Sequence, residues 1–166
     1  GAIDFETVET RILFGEGRKI EQIVPTQRNE AHKLIEECML SANVATARFL
    51  MKNKIPTLYR VHEGPSQEKL ENLREFLGEL GLQLQGERDK PKPSDYQELL
   101  AQIKERPDFS VIQTVMLRSL SQAVYSPEEE GHFGLGYPHY AHFTSPIRRY
   151  PDLTVHRAIK SMVHSE

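Results

Sequence analysis

Ser145, Arg148, Arg149 and Asp152 stand within eight residues of one another, inside the run Tyr140-Ala141-His142-Phe143-Thr144-Ser145-Pro146-Ile147-Arg148-Arg149-Tyr150-Pro151-Asp152. These residue types suit an anion. A hydroxyl and two guanidinium forks match phosphate oxygens, and helix starts offer backbone N–H groups. Ser145 is a good helix N-cap, and Pro146 fits a first helical position. Ile147 to Tyr150 have room for about one turn, because Pro151 cannot donate to a helix already running. Pro151 opens a new helix instead, with Asp152 favoured in its first turn by the helix dipole. The spacing thus predicts two helix starts with Arg148 and Arg149 between them. The same residues also suit a tight turn with two solvated arginines, since short anion-like motifs often match by chance.

The elements that must position this run can be read from the hydrophobic pattern. Gly1 to Glu6 alternates Ile3 and Phe5 against Asp4 and Glu6, a half-buried strand pattern. Arg11–Phe14 and Lys19–Val24 read as two strands joined by a turn at Gly15-Glu16-Gly17-Arg18. Thr26 or Asn29 caps the longest helix, Glu30 to Lys52, which is apolar around most of its girth and is expected to lie buried in a larger body. On it Glu36 and Asn43, seven apart, share one face. Glu36 is either an ordinary solvated edge or an inward carboxylate with a task, because burying one unpaired is costly. Leu58–His62 reads as a strand, and a helix follows from Ser66 or Gln67 to Leu80 with Gly81 as its stop. Ser94 with Gln97, and Ser110 with Gln113, read as capping boxes for two further helices, the second carrying Val111, Val115, Met116 and Leu120. Ala123–Tyr125 is a helix end or a short strand, and Tyr140–Phe143 a short aromatic strand. Pro151 to Val163 closes the chain as a helix. Gly134 and Gly136 would let the backbone pass close to another element.

Composition narrows the classes. The 166 residues are 38% hydrophobic and 27% charged, which suits one soluble domain or part of a larger one. No apolar run is long enough to span a bilayer, and no secretory leader is visible, so no membrane partner is expected. Cys38 is the single cysteine, which excludes an intrachain disulfide and fits the reducing cytoplasm. A net charge of -3 argues against a wholly basic face, so any contact with nucleic acid would rest on a few residues. His132, His139 and His142 have no carboxylate or cysteine at ligand spacing, so no metal site is assigned, and His62 reads as structural.

The run from Tyr140 to Leu153, followed by His156-Arg157, closely resembles the signature of the ribonuclease II (RNB-type) family of exoribonucleases. The resemblance extends to Gly1–Glu6, Ala31–Phe49 and Gly131–Gly136, so it runs nearly end to end. It implies part of a catalytic domain that degrades single-stranded RNA from the 3′ end to mononucleotides with Mg²⁺. It assigns Arg148 to the scissile phosphate as the catalytic residue, with Ser145 and Arg149 as further RNA contacts. It also implies that Phe5 stacks on a base, whereas the strand pattern alone reads Phe5 as core. Glu36, or Glu37 should the doublet align one residue later, would accept a hydrogen bond from the 2′-OH that separates RNA from DNA.

In that family the metal-binding aspartates lie upstream of the segment like Gly1–Glu6, and a further catalytic glutamate lies downstream. The resemblance therefore implies that Mg²⁺ is held by residues outside residues 1–166, with no metal ligand here. Both ends fall inside structure under way, which suggests a piece cut from within a domain. The expected fold is α+β: N-terminal strands and a hairpin, then about five helices with short strands, an incomplete part of a larger catalytic domain. The isolated piece is expected to be inactive. The alternatives are a non-catalytic RNA-binding module and a helical scaffold for protein partners.

Overall fold

The computed structural model describes residues 2–5, 10–26 and 29–164. It is mixed α+β, with five α-helices and short antiparallel strands among the described residues. Two compact units are distinguishable, residues 6–40 and residues 1–5 with 41–166.

The smaller unit is a hairpin and the start of a helix. Strands β1 (Thr10–Phe14) and β2 (Ile20–Pro25) pair antiparallel, Ile12 opposite Ile23, with a register shift after Leu13. The tight turn between them needs positive φ at Gly17 (72°) and Arg18 (59°). Helix α1 (Glu30–Lys52) keeps the expected bounds. Asn29 caps it: its Oδ1 accepts from His32 N–H at 3.0 Å, and His32 Nδ1 lies 3.3 Å from Asn29 N. Within this chain α1 is not covered all round, and a larger body would be needed to bury the rest of it. Leu34 (64% exposed), Ile35 (58%) and the free thiol of Cys38 face solvent, as do Phe14 and Ile20 on the hairpin. Burial needs a second apolar surface, and residues 6–40 are too few to supply one.

In the larger unit the core lies between three helices. Leu70, Leu73 and Leu77 of α2 (Gln67–Glu79) meet Tyr96, Leu99 and Ile103 of α3 (Pro93–Ile103) and Ile112 and Met116 of α4 (Phe109–Ser119). Each such side chain contributes roughly 1.5–3 kcal/mol when fully buried. Two caps differ from expectation. Helix α3 starts at Pro93, with Asp95 Oδ2 accepting from Lys92 N–H at 2.7 Å, because a carboxylate at the third position outcompetes the Gln97 amide. Helix α4 starts after Asp108, whose carboxylate is held by Arg106 at 2.8 Å, so Ser110 is already helical. On this helix Val111 is exposed and its neighbour Ile112 is the buried residue.

Strand β3 (Tyr59–Val61) pairs antiparallel with β4 (Val124–Ser126), Arg60 opposite Tyr125. Residues 2–5 are not a strand, and Gly1 and Glu6 lie outside the described residues. The segment is instead pinned at two points: Ile3 N–H donates to Gly134 C=O at 2.8 Å, and Gln97 Nε2 donates to Ala2 C=O. Helix α5 (Tyr150–Val163) ends the chain, with Arg149 as its N-cap residue.

Candidate functional site

The segment entering the arginine turn is not a strand. Its backbone groups are taken by side chains before a neighbouring strand can use them. Asn43, buried on α1, accepts at Oδ1 from Phe143 N–H (2.9 Å) and Thr144 N–H (3.3 Å) and donates from Nδ2 to Tyr140 Oη (3.0 Å). His156 of α5 lies with Nε2 at 2.9 Å from Phe143 C=O, and its ring stacks on Phe143 at 4.0 Å between centroids, 5° from parallel. One ladder contact survives, Arg60 N–H to Tyr140 C=O at 2.9 Å. Orphan backbone groups so near the core would be costly, and these side chains satisfy them.

Beyond Thr144 the chain makes about one turn, as expected: Arg148 N–H (3.3 Å) and Arg149 N–H (3.0 Å) both donate to Ser145 C=O. Of the two helix starts predicted, the second forms at Tyr150 with no side-chain cap, whereas Ser145 N–H at the head of the preceding turn is already taken by Asp152. Its carboxylate is fully buried, and Oδ2 accepts from Ser145 N–H at 2.8 Å and from Arg149 Nη2 at 2.9 Å. An internal anion thus occupies the place foreseen for phosphate. Asp152 and His156, one helical turn apart on α5, grip the segment from the same side.

The structure therefore separates the two arginines. Arg149 is half-buried and committed to Asp152. Arg148 is exposed, between Ile147 (102% exposed) and Tyr150 (68%), and among the described residues its guanidinium has no partner. Ser145, Arg148 and Arg149 lie in one turn. Ser145 contributes its backbone to the turn, and among the described residues its hydroxyl makes no hydrogen bond. Phe5 lies elsewhere in the larger unit, half-buried against the rim of the three-helix core. Glu36 belongs to the smaller unit, where it is half-buried on α1.

The surroundings are cationic, with neutral imidazoles. Burial pushes His142 down to about 4, and Arg149, Arg60 and Arg148 push the same way against the opposing pull of Asp152. Burial likewise lowers His132 to about 4, helped by His62 and Arg60. His62 is lowered chiefly by burial. Its Nδ1 accepts from Gly134 N–H at 3.0 Å, so Nε2 carries the proton toward Ser121 C=O at 2.8 Å. Both ring nitrogens of His62 thus bond to backbone, which explains Gly134: a Cβ there would stand 2.8 Å from the His62 ring. The three histidines at 132, 139 and 142 form no metal site, and no group of three His, Cys, Asp or Glu among the described residues fits a metal ion. The donor set here does not suit Mg²⁺, which wants carboxylate oxygens and water.

Sequence reasoning noticed Asn43 but gave it no task, and it passed over Arg60 and Tyr125. A carboxamide inside the apolar stretch of α1 was the available signal for Asn43. The strand pairing that joins Arg60 to Tyr125 has no local signal.

Comparison with known proteins gives a consistent picture. The model of the RNB domain matches residues 1–165. Ribonuclease R of Vibrio cholerae serotype O1 is 60% identical over 163 residues, 98% of this chain and 20% of that protein. Ribonuclease R of Escherichia coli K12 is 55% identical over 166 residues, 100% of this chain and 20% of that protein. The solved structure of Mycoplasma genitalium RNase R in complex with ribose-methylated single-stranded RNA superposes with a TM-score of 0.89 at 39% identity. That match covers 96% of this chain and 25% of the solved one. The chain thus spans about a fifth of the length of the curated relatives it matches.

Proposed function

The chain belongs to the RNB domain family, and from that premise we propose that it forms one wall of the RNA channel of a processive 3′→5′ exoribonuclease. The observation that carries this reading is the division of labour at the turn. Arg149 is locked on Asp152, which leaves Arg148 as an exposed, unpartnered guanidinium on a fixed backbone. A preorganised donor of that kind is what a phosphate gaining charge in a transition state requires. Arg148 is thus the residue that meets the scissile phosphate. Arg149 and the Ser145 backbone hold it in place, with the Ser145 hydroxyl as a further phosphate contact. The half of Phe5 not packed on the core offers a ring to a base, and Glu36 offers an acceptor to a ribose 2′-OH.

Phosphodiester hydrolysis in this family draws on Mg²⁺, and the residues here do not fit that ion. The metal and the water it activates belong to other parts of a longer cytoplasmic protein. Alone, this polypeptide therefore binds and positions but does not hydrolyse. Incubated with Mg²⁺ and 5′-labelled single-stranded RNA, it is expected to leave the RNA intact, while the full-length protein shortens it from the 3′ end one nucleotide at a time. Mononucleotide release by the purified chain, or cuts inside the RNA by the full-length protein, would overturn the reading.

A further inference from the structure

A second cationic group lies just outside the turn. The Arg60 guanidinium stands 4.7 Å over the centre of the Tyr125 ring. The two residues are opposite one another in the β3–β4 ladder, so the pairing of the strands fixes the stack. Tyr125 Oη is 2.8 Å from His142 Nδ1, and the two rings meet edge to face at 5.6 Å. Among the described residues Arg60 has no carboxylate partner. Among the described residues the guanidinium groups of Arg60, Arg148 and Arg149 oppose a charge on His142, and Asp152 favours one. A chain of net charge -3 thus gathers a local positive excess here.

We propose that Arg60, Tyr125 and His142 form a subsite for one phosphodiester of a bound RNA strand, beside the turn that carries Arg148. This rests on the RNA-channel reading above. Arg60, held over the Tyr125 ring, keeps N–H groups for two phosphate oxygens. Tyr125 and His142 share one proton between oxygen and nitrogen. If Tyr125 donates, the neutral imidazole keeps an Nε2–H; if His142 donates, Tyr125 keeps its O–H. Either way the pair has one donor to spare for a phosphate. A carboxylate of a protein partner would match Arg60 alone, whereas a nucleotide brings a phosphate for the donors and a base for the partly exposed Tyr125 ring.

The test is made on the full-length protein with a fluorescein-labelled oligoadenylate, in chelator to prevent cleavage, over a series of salt concentrations. Arg60→Gln should weaken binding several-fold and reduce the slope of log affinity against log salt by about 0.7, the share of one single-strand phosphate. Arg60→Lys should keep the slope and lose part of the affinity, because it retains the charge without the planar fork. Should Arg60→Gln not fold, phenylglyoxal modification of the unmodified protein decides: saturating oligoadenylate should slow reaction at Arg60. An unchanged salt slope in Arg60→Gln, or an Arg60 that reacts equally fast with and without oligoadenylate, would overturn the subsite while leaving the RNA-channel reading intact. Failure of the unmodified protein to bind oligoadenylate would defeat both.

Discussion

Asn43 holds together more of the candidate site than any residue the signature itself contains. One carboxamide satisfies two backbone N–H groups and a tyrosine hydroxyl. Replacing it by alanine leaves Phe143 N–H, Thr144 N–H and Tyr140 Oη unpaired, in a place where water is scarce. An unsatisfied buried group costs about 1–3 kcal/mol, and local relaxation will return part of it, so Asn43→Ala should destabilise the chain by about 2–3 kcal/mol. Asn43→Asp keeps the acceptor for both N–H groups and should cost less. Urea unfolding of the three proteins gives the comparison, and equal stability of Asn43→Ala and the original would show that the segment does not depend on this bond set. At this scale the sequence was legible where chemistry is local: Ser145, Arg148 and Arg149 were found in one turn. It was misleading where a long-range partner decides. Asp152 was assigned to the helix dipole, and its ion pair with Arg149 and bond to Ser145 become visible only when the turn closes.

Elements followed from pattern where pattern is strong. The 23 residues of α1, the hairpin, the C-terminal stop of α2 at Gly81 and the closing helix are all periodic or punctuated by glycine and proline. The failures share a cause. Residues 2–5 have the alternation of a strand and Tyr140–Phe143 the aromatic content of one, yet a strand also needs a free neighbour. The first segment bonds through its backbone to Gly134 and the Gln97 side chain, and the second is claimed by Asn43 and His156. The exposed apolar side chains of α1 likewise show that periodicity reports what a helix can bury, not what its own unit supplies. Glu36 is a prediction at this scale, since its place on α1 is fixed by helical phase. In the full-length protein Glu36→Ala should narrow the preference for RNA over a matched DNA oligomer, through loss of an acceptor for the 2′-OH, with little change in unfolding midpoint. Discrimination that stays the same would remove Glu36 from the site.

The whole molecule couples its cationic region to pH. His132 and His142 titrate near 4 when folded, against 6.5 for a free imidazole, because burial and neighbouring guanidinium groups oppose a further charge. Between these values the unfolded chain binds protons that the folded one refuses. Stability is therefore fully present above about pH 6.5 and is lost as pH falls toward 4. Urea midpoints should drop between pH 7 and pH 5, and His142→Gln should drop less; parallel losses would show that the acid sensitivity lies elsewhere. The family resemblance was legible nearly end to end in the sequence, while the separation of Arg148 from Arg149 required the folded chain. That separation is the central claim, and single-turnover cleavage by the full-length protein tests it most directly. An interaction made mainly in the transition state appears in rate rather than affinity, and loss of one such donor costs on the order of 10²–10³. Arg148→Ala should slow single-turnover cleavage at least about tenfold, with a smaller fall in RNA affinity, and Arg149→Ala should be milder in rate and cost stability through its loss from Asp152. Equal rate effects at the two positions, or a loss confined to affinity, would contradict the account and leave only a basic turn.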